Sequence, residues 1–235
     1  MFGWIDWKTR NPAEPDDECT AIEGILITGQ AGLLCGLNVA TSLGWRAIEN
    51  LRVGDRVLTF DHGLQPVMDI QREALTMPEG RLPEAHQPIL IPPGVLENDA
   101  PIRVMPDQGL MVESDTVLDI LDDPFAVIPA RALTGFRGIA PALPTGPVTV
   151  STIAFAADQV VYVEGGLLAY CPRPRSFLAD AGAGSDYRLL SLRAARYLVA
   201  CLIEDDDIHA LICDHEEIVG ITNRGRPHLR MVPDN

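Results

Sequence analysis

Few side chains in this sequence combine reactive chemistry with a meaningful spacing. Cys201, His209, Cys213 and His215 bring together zinc-type ligands, with the acidic run Glu204 to Asp207 beside them. Their spacing matches no standard zinc knuckle, so no metal and no other cofactor is expected. Cys201 reads more simply as part of an apolar helix face. Asp158 and Glu164 are six positions apart, an even offset that on a strand puts two carboxylates on one face. The plainer reading is a solvated edge. Asp107 and Gln108 occupy a turn, where they could act together on a ligand or serve only local hydrogen bonding. Cys35 stands in the apolar run Leu33-Leu34-Cys35-Gly36-Leu37, where a small buried thiol is the ordinary reading. His62 lies in the turn Asp61-His62-Gly63.

The elements that must position these residues are mostly short strands. Leu37 to Thr41, Arg56 to Phe60, Val67 to Leu75, Ile89 to Ile91, Ile102 to Met105, Leu110 to Val112, Phe125 to Ile128, Val148 to Phe155 and Val160 to Glu164 are apolar or alternating runs. Turn residues such as Gly54-Asp55 punctuate them. Met105-Pro106-Asp107-Gln108-Gly109 has the composition of a tight hairpin turn joining the strands on either side. Trp45 and Phe60 alternate with polar residues and are expected in the core. Ser114 to Asp123 predicts a short helix with Ser114 as N-cap, and Pro129 to Leu133 a helical turn. Tyr187 to Ile203 has apolar residues near helical spacing, and Ile208 to Ile221 suggests a second helix. Many short strands with no long βαβ unit and no Gly-rich phosphate loop predict an all-β body. The expected division is an N-terminal arm and first strand at 1–31, a β domain at 32–175 and a helical C-terminal appendage at 176–235.

Composition excludes several function classes. Of 235 residues, 47% are hydrophobic and 22% charged, enough for a core without staples. The net charge of -15 repels phosphates, which argues against nucleic acid and anionic membranes as partners. Five cysteines without a C-x-x-C spacing fit reduced thiols better than a disulfide framework. The first twenty residues lack an apolar signal core, and Gly24 to Ala40 is broken by four glycines. No Sec signal or membrane anchor is expected. The default compartment is the cytoplasm, with export by a route that leaves no N-terminal mark as the alternative.

Three segments carry a resemblance. The first runs from Val39-Ala40-Thr41 to Asp61-His62-Gly63 and includes Gly54-Asp55-Arg56-Val57-Leu58-Thr59. The second is Ile102-Arg103-Val104-Met105-Pro106. The third is Phe155 to Gly165, with Val160-Val161-Tyr162-Val163-Glu164-Gly165. In this order and spacing they resemble the Hint (Hedgehog/intein) domain family, nearest its bacterial Hint-type subgroup, from about Gly32 to Tyr170. The resemblance implies a β fold and a self-cleavage chemistry. In the family a Cys or Ser at the start of the domain attacks the preceding carbonyl in an N-to-S or N-to-O acyl shift. A histidine in the middle block protonates the leaving amine, and nearby donors hold the oxyanion.

Carried over residue by residue, the motif departs from the family at each chemical position. Anchoring on Val39-Ala40-Thr41 puts the nucleophile position at Gly32 and the family threonine at Leu37. The middle histidine falls on Gln108, whose amide donates a hydrogen bond but shuttles no proton near neutral pH. A frequent late histidine falls on Asp158. Cys35 comes three residues after the nucleophile position. These departures imply a Hint scaffold that has lost self-cleavage and serves as a structural or interaction module with a protein partner. The alternative is autocatalytic cleavage before Cys35, with His62 as the candidate base.

Overall fold

In the computed structural model, residues 31–75, 83–96, 98–121, 123–146, 148–174, 185 and 187–204 are described. The arm before residue 31, the expected strand at Ile25 to Thr28 and the expected helix at Ile208 to Ile221 lie outside them. Among the described residues the strands are β1 (Leu33–Leu34), β2 (Asn38–Thr41), β3 (Gly44–Ala47), β4 (Arg56–Thr59), β5 (Gly63–Pro66), β6 (Asp69–Leu75), β7 (Ile89–Ile91), β8 (Ile102–Val104), β9 (Gly109–Glu113), β10 (Phe125–Pro129), β11 (Ala140–Pro141), β12 (Val148–Ala154), β13 (Gln159–Tyr162) and β14 (Leu168–Cys171). They form two antiparallel sheets. One runs β11-β7-β8-β1-β12-β6; the other runs β10-β9-β14-β13-β4-β2-β3, with β5 also on β4. The body is mainly β, as the strand signals predict.

Side-chain alternation explains how the second sheet is buried on both faces. Val39, Val57, Val161, Ala169, Leu110 and Ile128 join one large core with Leu33, Val104, Ile91 and Ile153 of the first sheet. Their neighbours Ala40, Leu58, Val160, Tyr162, Tyr170 and Met111 form a separate cluster. Each fully buried aliphatic side chain contributes about 1.5–3 kcal/mol relative to exposure. Two helices complete the body. α1 (Asp115–Leu121) starts where Ser114 Oγ accepts the Val117 N–H at 3.1 Å, the N-cap expected from the sequence. α2 (Leu192–Glu204) puts Ala195, Leu198, Val199 and Leu202 into the large core. The expected turn after Pro129 forms at Ala130–Leu133.

Three expectations are corrected. The segment Met105 to Gly109 does turn, with the Gln108 N–H on the Met105 carbonyl at 3.0 Å. It does not close a hairpin: β8 pairs β7 and β1, whereas β9 pairs β10 and β14 in the other sheet. The helix expected from Tyr187 begins only at Leu192, with the Ala194 N–H on Ser191 Oγ at 3.3 Å. The residues before it are extended along β10: the Val127 N–H donates to the Arg188 carbonyl at 2.8 Å and the Leu190 N–H to the Val127 carbonyl at 2.9 Å. Trp45 is 45% exposed rather than core. It pairs with Ala40 on β3, the last strand of the sheet, beyond which no further strand lies among the described residues.

Candidate functional site

The sheet switch brings Gly32 and Gln108, the positions expected for the nucleophile and the middle-block histidine, together. The Gly32 N–H donates to Gln108 Oε1 at 3.0 Å, and the Met105 N–H donates to the Gly32 carbonyl at 3.1 Å. Gln108 is 4% exposed. Its Nε2 donates to the Gly109 carbonyl at 3.0 Å and to the Tyr170 carbonyl at 2.8 Å. Its own carbonyl accepts the Ala130 N–H at 2.9 Å. The side chain therefore uses three of the roughly four hydrogen bonds an amide can make. Gln108 does not act with Asp107 on a ligand at a hairpin tip. It turns inward, while Asp107 pairs with Arg131 at 2.8 Å. Burial raises the Asp107 carboxyl above its ordinary value, against the lowering pull of Arg131 and then His86.

Gly32 has no room for a side chain. Its φ is +138°, and a Cβ there would lie 2.5 Å from Val150 Cγ1 and 3.2 Å from the Ser151 carbonyl oxygen. Leu37 is buried in the large core, and its carbonyl accepts the Ile48 N–H at 2.8 Å. An aliphatic side chain at this position offers no donor.

Asp158 joins the same network through Tyr170. It is 1% exposed, not a solvated edge residue. Its Oδ2 accepts the Tyr170 hydroxyl at 3.0 Å and the Ser185 hydroxyl at 2.8 Å, and its Oδ1 accepts the Arg173 N–H at 2.9 Å. Tyr170 thus receives a hydrogen bond from Gln108 on its carbonyl and gives one to Asp158 from its hydroxyl. Sequence reasoning missed this tyrosine, for which the β14 pattern offers no signal. Glu164 points elsewhere, accepting the Asn38 Nδ2 at 2.6 Å, so the two carboxylates do not form a pair.

Cys35 and His62 are not brought together. The Cys35 N–H donates to the Thr149 carbonyl at 2.9 Å, and its thiol is exposed. The next turn is closed by the Leu37 N–H on the Leu34 carbonyl at 3.3 Å, with Gly36 at φ +93°. The cleft around Cys35, about 430 Å³, is lined by Arg103, Pro144 and Glu164 among others, and by no histidine among the described residues. His62 lines a different cavity, which shares no residue with this cleft. Its Nδ1 faces Gln159 Oε1 at 3.1 Å. Of the thiols, Cys171 is buried, and burial pushes it up to about 12. Cys201 lies half-buried on α2; His209, Cys213 and His215 fall outside the described residues. No helix among the described residues is long and apolar enough to cross a membrane.

The family model described as "Hint domain" matches residues 31–169, more than half of the chain. Among solved structures, the chain is similar to the bacterial intein-like domain from Clostridium thermocellum, at 15% identity and a TM-score of 0.44 over 60% of this chain and 98% of that one. It is also similar to the gp41-1 intein, at 13% identity and a TM-score of 0.34 over 59% of this chain and 97% of that one. No curated protein matches it.

Proposed function

The chain belongs to the Hint domain family, and on that premise we propose that it has given up self-cleavage and uses the scaffold as a structural or protein-interaction module. The observation that carries this reading is the closure at Gly32. Self-cleavage needs a nucleophilic side chain there and a proton donor beside it. Position 32 has no side chain and no space for one, and its N–H is bound by Gln108, an amide that transfers no proton. A net charge of -15 favours a protein partner over nucleic acid.

One observation favours cleavage before Cys35 instead. The exposed thiol follows a peptide whose carbonyl oxygen already receives the Leu37 N–H. A single donor of that kind supports an oxyanion in part, but the cleft holds no histidine among the described residues, and its carboxylate, Glu164, is engaged by Asn38.

Intact mass of freshly purified protein, with and without hydroxylamine or a thiol, separates the two. The expected result is one species of 25.5 kDa under every condition. A fragment ending at Leu34 that disappears in Cys35→Ala overturns the proposal.

A further inference from the structure

The cavity beside His62 takes no part in the chemistry above, yet it is built from a selective set of groups. Its walls include Phe60 just past β4, Phe125 at the start of β10 and Tyr187 on the extended segment along β10. Phe60 and Phe125 meet edge to face with centroids 5.3 Å apart. Tyr187 stands edge to face on Tyr170 at 5.7 Å. Buried Met111 and Val127 also line the cavity, whose volume is about 370 Å³.

Two carboxylates sit among these rings. Asp61 Oδ2 accepts the Tyr187 hydroxyl at 2.5 Å, which fixes the carboxylate. Asp123 Oδ1 accepts the Phe125 N–H at 3.0 Å. Among the described residues, each keeps a second oxygen without a partner and neither carboxylate has an ion-pair partner. Arg188 also lines the cavity, but its guanidinium donates to the Leu121 carbonyl. Aromatic walls ligate no hard metal ion, whereas ring faces attract an organic cation within about 6 Å of the centroid. Free carboxylate oxygens add charge-assisted hydrogen bonds to the same guest. The chain's acidic surface steers cations inward.

We propose that this cavity receives the lysine or arginine side chain of a segment of a partner protein. The inference rests on the interaction-module reading and supplies the partner's chemistry. His62 and Arg188 at the cavity are exposed, so a long cationic side chain can enter while its own backbone stays outside.

The test is calorimetric and NMR titration of the full chain with N-acetylated, C-amidated Gly-Arg-Gly and Gly-Lys-Gly, the citrulline analogue of the first, and tetramethylammonium. The expected result is binding of the cationic tripeptides at least about fivefold tighter than the neutral citrulline peptide, weakening with salt. Asp61→Asn with Asp123→Asn is expected to weaken it about tenfold, and Phe125→Leu about fivefold, with unchanged circular dichroism melts. Equal binding of the citrulline peptide, or indifference to these substitutions, overturns the proposal. Tetramethylammonium binding as tightly as the arginine peptide overturns the assignment to a protein segment in favour of a free organic cation. Failure here leaves the intact-mass result untouched, so loss of this inference and loss of the module reading are told apart.

Discussion

At Gly32 the chain is closed in on itself; at Cys35, just past β1, it opens to solvent. The first position lies against Gln108, the residue at the expected middle-block position, and immediately precedes β1. Its glycine is wedged against Val150, and its N–H is held by Gln108. The second position has the atom and lacks the surroundings, because its cleft contains no histidine among the described residues. The expected nucleophile position and the nearest thiol sit at opposite ends of β1, in different surroundings. A motif match that reports only the presence of a nearby cysteine cannot detect that separation.

The sharpest way to break this contrast is thiol reactivity. Raising Cys171 from 9.0 to about 12 lowers its thiolate fraction near neutral pH by about a thousandfold, before access is considered. Limited alkylation followed by peptide mapping is expected to label Cys35 and leave Cys171 unmodified until the protein unfolds. Comparable labelling of both would mean that the β14 site is not closed. Next in size is Gly32→Ala, expected to lower unfolding free energy by about 3 kcal/mol in urea titrations, because it adds both a clash and left-handed strain. A loss below about 0.5 kcal/mol would show that the site can open to accept a side chain. Gln108→Ala removes the partner of Gly32 and two donors, at a cost of about 2 kcal/mol by the same titration. The smallest effect concerns Ser151, whose hydroxyl is fully buried in β12 without a hydrogen-bond partner among the described residues. Ser151→Ala is expected to be neutral or to raise the unfolding free energy slightly, by at most about 1 kcal/mol. A marked destabilisation would place an ordered water on that hydroxyl.

How much of this was legible depended on whether the determinant was local. The block from Val39 to Gly63 declared its strands, because alternation and turn glycines act over a few residues, and Ser114 declared its cap for the same reason. Met105 to Gly109 declared a turn but not the partners of the strands it joins. Turn chemistry is set by neighbouring residues, whereas pairing of β8 with β1 and of β9 with β14 is settled by distant ones. Tyr187, Leu189 and Leu190 look like a helix face by spacing, yet the edge of β10 claims them first. Alternation placed Trp45 on an inward face but could not reveal that its strand ends the sheet. At the candidate site, motif spacing singled out Gly32, Gln108 and Asp158, but nothing local shows that Tyr170 links the last two.

The placement of β1 has a practical consequence. These two residues are not an edge: they lie between β8 and β12 in the interior of the six-stranded sheet. A nick after Leu34 would leave the upstream piece clamped on both sides as a complementing strand. Separating the two pieces would then mean breaking the pairing of Leu33 and Leu34 with β8 and β12, so denaturing conditions are the surer way to reveal a break. A protein of this design could be broken at that point and keep its shape.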